Sequence, residues 1–230
     1  MTATAGLIAL GDQLIATATA MEQKGINNGM AGNVSVRVDG GMLITPSGVP
    51  YDRMGAGDVI NMSFDTSWAP LAPANEHLRP SSEWRFHLDI LRSRPEANAV
   101  VHAHPTAAAA LSAHGRGIGP FHYMVGVAGG HDIRCAEYAT FGTAELSANV
   151  LAALEGRTAC LLAHHGILAI AADLPSALAV AVEVEVLAAQ YLAALAIGEP
   201  PQLSEAQMDE VLAKMASPDG YGSSPDSDLG

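Results

Sequence analysis

An α/β domain accounts for this chain on three grounds. Helical periodicities alternate along it with short apolar or alternating runs of strand length. Its 230 residues suffice for one sizeable core, and 49% of them are apolar against 15% charged. Disordered chains show the opposite balance. At this length folding buries about 70% of the surface the unfolded chain exposes, so no staple is needed.

The elements follow in order. Residues 3–24 carry alanine, leucine and isoleucine at helical spacing, and Gly25 and Asn27-Asn28-Gly29 end this first helix. Val34, Val36 and Val38 alternate with Ser35 and Arg37; Gly40-Gly41 turns the chain into residues 42–45, completing a hairpin. Residues 57–63 form a further strand, and 64–80, rich in Pro and Ala without a period, form a surface loop. Ser81 or Ser82 caps a helix through Trp84, Phe86, Leu88 and Leu91 that stops before Pro95. Residues 99–104 make a short buried strand, and an alanine-rich helix runs from Pro105, at its first position, to His114. The glycine-rich stretch 115–142 is loop. A helix over 143–155, strands over 158–162 and 166–171, and helices over 174–197 and about 203–215 complete the domain, assigned to residues 1–216. From Ser217 the chain has too few apolar residues to pack by itself, so 217–230 form a flexible tail.

Eleven basic residues, only two of them lysines, face 24 acidic ones, for a net charge of −13. Such a surface repels nucleic acid and anionic lipid. Taken alone it also argues against an anionic small substrate. Nearly half of the acidic excess, however, lies in residues 198–230, away from the residues that can do chemistry. Cys135 and Cys160 show no zinc spacing and read as two reduced thiols of a cytoplasmic protein. No basic residue precedes the first apolar stretch, which speaks against a secretory signal. The apolar helix at 174–197 carries Glu183 and Glu185 mid-span and reads as packed rather than membrane-spanning.

His102 and His104, two apart on a strand, share a face and suit one metal ion. His164-His165 adds a third imidazole, since only one of two adjacent side chains can face a given point. Three histidines with an open position are the pattern of catalytic zinc. Glu83 fits either an acid at a helix start or a general base beside a metal. Helix N-termini with free hydroxyls, as at Ser81 and Ser82, also bind phosphate. Gly32-Asn33 and Ser47-Gly48 serve either as turns or as anion-binding loops. Tyr123 is a packing residue or a proton-transfer group. His77, His87, His114 and His131 carry no spacing signal and read as structural or solvated.

Taken together these segments resemble the class II aldolase/adducin family, most nearly its L-fuculose-phosphate aldolase branch. The matching words are AGNVSVR at 31–37, MLITPSG at 42–48, PSSEWRFH at 80–87, ANAVVHAH at 97–104, HYM at 122–124, YATFGT at 138–143, HHG at 164–166 and EVEVLAAQYL at 183–192. They span roughly residues 5–215 in the family's order.

The resemblance implies a three-layer αβα fold with a central, mainly antiparallel sheet. It implies one Zn2+ per subunit on His102, His104 and His165. Glu83 corresponds to the acid/base carboxylate, which also touches the metal when substrate is absent. Asn33, Ser47, Gly48, Ser81 and Ser82 match phosphate-binding positions, a cradle without lysine or arginine, so the global acidity does not exclude a phosphorylated sugar. Tyr123 matches a tyrosine supplied across a subunit boundary of a homotetramer. The implied activity is reversible cleavage of a ketose 1-phosphate, such as L-fuculose 1-phosphate, to dihydroxyacetone phosphate and a small aldehyde such as lactaldehyde. Alternatives within the family are a 5-deoxypentulose 1-phosphate aldolase and a sugar-acid phosphate decarboxylase; a more remote one is a non-catalytic, adducin-like interaction module. Two departures stand out. Met30 replaces a threonine near the phosphate and cannot donate a hydrogen bond. Tyr221 is the sole aromatic residue of the last 30, where the family's tail carries aromatics that close over a neighbouring site.

Overall fold

The computed structural model describes residues 3–217 and Gly220. The expected tail, with Tyr221, lies outside the described residues apart from Ser217 and Gly220.

The alternating valines form β1 (Asn33–Val38), at the middle of an eight-stranded sheet. Outward on one side lie β2 (Gly41–Ile44), β3 (Ile60–Ser63) and β4 (Trp68–Pro70). On the other side lie β5 (Ala99–Ala103), β8 (Gly166–Ala171), β7 (Ala159–Leu162) and β6 (Arg134–Ala136). Every pairing is antiparallel except the parallel β6–β7 pair at one edge. The mainly antiparallel, helix-covered sheet therefore stands as expected.

The two-residue period sorts side chains onto two faces. Val34, Val36, Leu43, Val101, Leu161, Ile167 and Ala169 pack beneath α1 (Ala3–Gln23), α3 (Thr106–Ser112) and α5 (Leu174–Leu195). Met42, Ile44, Ile60, Val100, Cys160, Leu168 and Ile170 pack beneath α2 (Trp84–Ser93) and α4 (Ala144–Ala153). α6 (Glu205–Met215) follows α5 and starts on a reciprocal cap, in which Ser204 Oγ accepts from Gln207 N–H and Gln207 Oε1 from Ser204 N–H. α5 is long and apolar enough to cross a membrane, but Ala177, Ala181, Val184, Leu187 and Ala188 are buried in the first core, which makes it a core helix. Glu185 accepts the N–H groups of Ala107 and Ala108 at 2.8 Å each, so its charge is spent on the start of α3.

Four expectations need correction. Residues 64–80 are not all loop: β4 and a 3-10 turn at Pro73–Asn75 lie within them. Residues 115–142 contain a 3-10 helix, Tyr123–Ala128, and β6. Three-residue edge strands are too short to show alternation. Neither Ser81 nor Ser82 caps α2; Glu83 occupies the N-cap, and Ser81 Oγ instead accepts the Glu83 N–H at 3.3 Å. Pro105 is the N-cap of α3, extended at ψ 152°, rather than its first helical residue.

Candidate active site

β1 and α2 deliver the site together. Asn33, Ser35 and Arg37 point to the α2 side because Val34 and Val36 point to the other. Asn33 pairs in register with His102 on β5. Gly32 permits this approach: a Cβ there would lie 2.6 Å from the His102 carbonyl oxygen and 2.8 Å from Asn27 Oδ1. His102 points to the α2 side because Val101 and Ala103 point away from it. His104 follows just beyond the strand.

The β7–β8 turn settles which adjacent histidine faces inward. His164 takes a left-handed backbone at φ 55°, costing about 1–2 kcal/mol for a residue with a Cβ. That twist leaves His164 on the rim, edge-on to Tyr138 at 5.8 Å, and turns His165 toward Glu83. Gly166 is required next, since a Cβ would run into the Ala103 carbonyl and the His104 ring.

Glu83, His102, His104 and His165 offer four ligand atoms, all within 4.8 Å of one another. Glu83 Oε2 lies 3.1 Å from His102 Nε2, and Oε1 lies 3.1 Å from His165 Nε2. The Nε2 atoms of His102 and His104 are 2.8 Å apart. His102 Nδ1–H donates to the Ile167 carbonyl at 2.7 Å, which aims Nε2 at the cluster. Glu83 Oε1 is buried without a hydrogen-bond partner among the described residues.

The electrostatics suit a cation at the centre. Burial pushes the Glu83 pKa up, but the His102 and His165 imidazoles outweigh it and hold the carboxyl well below its usual range. Burial pushes His102 down, and the Glu83 carboxylate more than reverses this. His104 is pushed down to about 3, first by burial and then by charge on His102 and His165. A neutral His104 presents a lone pair. Three imidazole nitrogens and one orphaned carboxylate oxygen fit a divalent cation.

Glu83, His104 and His165 line a cavity of about 430 Å³, with His102 buried behind them. Ser82 stands in its wall, and the exposed side chains of Met30, Tyr138 and Phe141 form an apolar rim. The wall carries no lysine or arginine among the described residues. The expected phosphate residues divide. A bridge between Pro46 and Pro80 brings the Ser47-Gly48 loop alongside Ser81 and Ser82. Ser81 is buried, Gly48 is left-handed at φ 73°, and neither they nor Ser47 line the cavity. Asn33 is buried, and its amide is taken by neighbours: Nδ2 donates to Glu83 Oε2 at 2.9 Å, and Oδ1 contacts His87 Nε2. Tyr123 stands apart, half exposed, over a separate groove with Leu203, Gln207 and Met215.

The sequence reading passed over His87. It is fully buried, and its other ring nitrogen meets Ser35 Oγ at 2.7 Å. The usable signal was spacing on two elements: His87 lies four residues after Glu83 on one helix, and Asn33 and Ser35 lie two apart on one strand. His131, also left without a role, meets Asp209 at 2.8 Å on the surface, and His122 Nδ1 accepts the Met124 N–H.

A buried carboxylate set among three histidines, on a sheet between helix layers, defines a candidate site for a divalent metal. Residues 12–192 match the family described as "Class II Aldolase and Adducin N-terminal domain", and the chain belongs to that family as one of its aldolases, enzymes that use a divalent metal. It is 50% identical over 207 residues to a 5-methylthioribulose-1-phosphate/5-deoxyribulose-1-phosphate aldolase of Rhodospirillum rubrum, covering 90% of this chain and 91% of the relative. It is 48% identical over 206 residues to the L-fuculose phosphate aldolase of Escherichia coli K12, covering 89% and 93%. A solved L-fuculose 1-phosphate aldolase superimposes with a TM-score of 0.83 at 37% identity, covering 89% of this chain and 94% of that one.

Proposed function

We propose that this enzyme cleaves a ketose 1-phosphate reversibly to dihydroxyacetone phosphate and a small aldehyde. The observation that carries the reading is the convergence of Glu83 with His102, His104 and His165, three of which open onto the cavity with His102 buried behind them. In this reading the three histidines would hold one zinc ion per subunit, with Glu83 as a fourth ligand in the absence of substrate. Bound there, the cation supplies Lewis-acid polarisation of the substrate's C2 carbonyl.

The chain's own groups manage the protons. As the C3–C4 bond breaks, the C4 hydroxyl proton leaves toward Tyr123 and the bonding pair stays at C3. Glu83, ionised at rest, takes up one proton from solvent as Tyr123 passes the C4 proton to solvent, and delivers it to C3, so that one proton is lost and one gained and dihydroxyacetone phosphate departs; in condensation Glu83 removes the C3 proton. Tyr123 does not line this cavity and is half exposed over a separate groove, which supports its acting in a neighbouring subunit's site within a cytoplasmic homotetramer. Ser47, Gly48, Ser81 and Ser82 are assigned to the phosphate, with hydroxyls and backbone N–H groups in place of lysine or arginine; Asn33, expected among them, gives its amide to Glu83 and His87 instead.

Three substrates fit: L-fuculose 1-phosphate, 5-deoxyribulose 1-phosphate and 5-methylthioribulose 1-phosphate. The apolar rim of Met30, Tyr138 and Phe141 suits the methyl-ended aldehydes that L-fuculose 1-phosphate and the 5-deoxy sugar both release, and its only distinguishing support is for the longer methylthio end. A retro-aldol assay of metal-analysed protein against all three phosphates, scoring dihydroxyacetone phosphate, decides between them. Carbon dioxide release from a phosphorylated sugar acid would instead mark a decarboxylase. Zinc-loaded protein that cleaves none of the ketose 1-phosphates would overturn the reading.

A further inference from the structure

We propose that His87 is a positioning residue for Glu83, acting through the side-chain amide of Asn33. The proposal rests on Glu83 being the proton carrier.

The hydrogen-bond chemistry of the line allows one arrangement. Asn33 Oδ1 can only accept, so His87 Nε2 must carry the proton that meets it. His87 is neutral, pushed down to about 3 by burial first and by charge on His102 second. A neutral ring protonated at Nε2 has its lone pair on Nδ1, and Ser35 Oγ–H donates to it at 2.7 Å. With Oδ1 fixed by His87, the Asn33 NH2 group faces Glu83 Oε2 at 2.9 Å. The flipped amide would set its carbonyl oxygen against the carboxylate, two acceptors in contact, and would leave His87 Nε2–H facing a second donor.

The consequence falls on the carboxylate. Oε2 is held by Asn33, and Oε1 is left buried with no hydrogen bond. The two oxygens are thereby made unequal: each faces one imidazole at 3.1 Å, but only Oε2 is also anchored by an amide, which leaves Oε1 the one placed to carry the proton. Ser35 and His87 are 0% exposed and Asn33 is 3% exposed, so water cannot replace any link cheaply. A histidine kept only for packing needs partners of any kind; here the partner on Nε2 ends at the reacting group.

Two substitutions separate the ring's nitrogens. His87→Gln keeps a donor near the Nε2 position and so keeps Asn33 in place. His87→Asn keeps a polar group near the Nδ1 position and loses Asn33. The readouts are exchange of the C3 proton of dihydroxyacetone phosphate with solvent, zinc affinity by chelator competition, and thermal melting. Expected for His87→Asn is a fall of about 10- to 100-fold in the exchange rate constant with KM unchanged, and about 10-fold weaker zinc binding. His87→Gln restores both, at a similar melting temperature. Adding His87→Asn to Asn33→Ala costs nothing further, because both cut the same line. Should His87→Asn not fold, His87→Leu, close in volume, takes its place.

Equal exchange and zinc affinity in the Asn and Gln variants would overturn the proposal, as would full additivity with Asn33→Ala. If zinc-loaded wild-type protein exchanged no C3 proton, the reading of Glu83 would fall instead, and the zinc affinities of the two variants would still test whether His87 holds Glu83 through Asn33.

Discussion

At its first residue β1 supplies Asn33 to the cluster around Glu83; at its fifth it supplies Arg37 to the far end of α2. The Arg37 guanidinium donates to the carbonyls of Leu91 at 2.6 Å, Arg94 at 3.0 Å and Ala97 at 2.8 Å, and to Asn98 Oδ1 at 3.0 Å. These include carbonyls at the end of α2, where a helix presents free acceptors and the negative end of its dipole. At the Arg37 end a charge is dissolved in backbone acceptors. At the Glu83 end a buried oxygen is left without a hydrogen bond and imidazole nitrogens face one another. Charge that the fold satisfies is structural, and charge that the fold leaves convergent and short of partners is available for chemistry.

Experiments can break this contrast at either end. The largest effect belongs to metal removal. Chelation is expected to abolish cleavage, zinc to restore it, and the melting temperature to fall in the chelated protein, because a ligand held by the native state alone stabilises it. Glu83→Gln comes next, with cleavage down about 10²- to 10⁴-fold while the fold persists, checked by the retro-aldol assay beside a thermal melt. Wild-type cleavage by a zinc-replete Glu83→Gln protein would dismiss Glu83 as the proton carrier. Arg37→Ala should show the inverse balance: about 2 kcal/mol of stability lost in urea unfolding, with cleavage reduced far less than by Glu83→Gln. An Arg37→Ala enzyme as stable as wild type would break the comparison.

The smallest effect concerns pH. His87 titrates at about 3 in the folded protein, pushed down by burial and then by His102. In the unfolded chain it titrates near ~6.5. Between those values the unfolded chain binds a proton that the native protein refuses, so stability falls as pH drops through that window. His87→Gln removes this term, and its stability should fall by about 1 kcal/mol less than wild type between pH 6.5 and 5.5, read from urea midpoints.

The candidate cluster came into view because its members sit in short words, His102 and His104 at strand spacing, the His164-His165 pair before a glycine, and Glu83 at a helix start, while resemblance to the family singled out His165. The central strands were legible for the same reason, since Val34, Val36 and Val38 alternate over enough length to count. β4 and β6 escaped because three residues hold no period. α2 was started too early because Ser81 and Ser82 have the chemistry of caps, although Glu83 takes that position. His87 escaped because its partners, Asn33 and Ser35, lie 54 and 52 residues away in the chain. The inward choice between His164 and His165 depended on one left-handed backbone that no residue type announces.

The pairing of β1 with α2 works as a gauge. Asn33 meets Glu83 and His87, Ser35 meets His87, and Arg37 meets Leu91 and Arg94, so strand and helix run the same way with three ties along their length. A strand advances ~3.3 Å per residue and a helix ~1.5 Å, so four strand residues span roughly what nine helix residues do. A single residue inserted into α2 between His87 and Leu91 would turn everything beyond it by ~100° and slide it 1.5 Å along the axis. The tie at Arg37 and the ties at Asn33 and Ser35 could then no longer close together. Length in this helix is therefore as tightly fixed as the identity of its glutamate, and variation in the enzyme has to be accommodated in the loops at either end rather than between the ties.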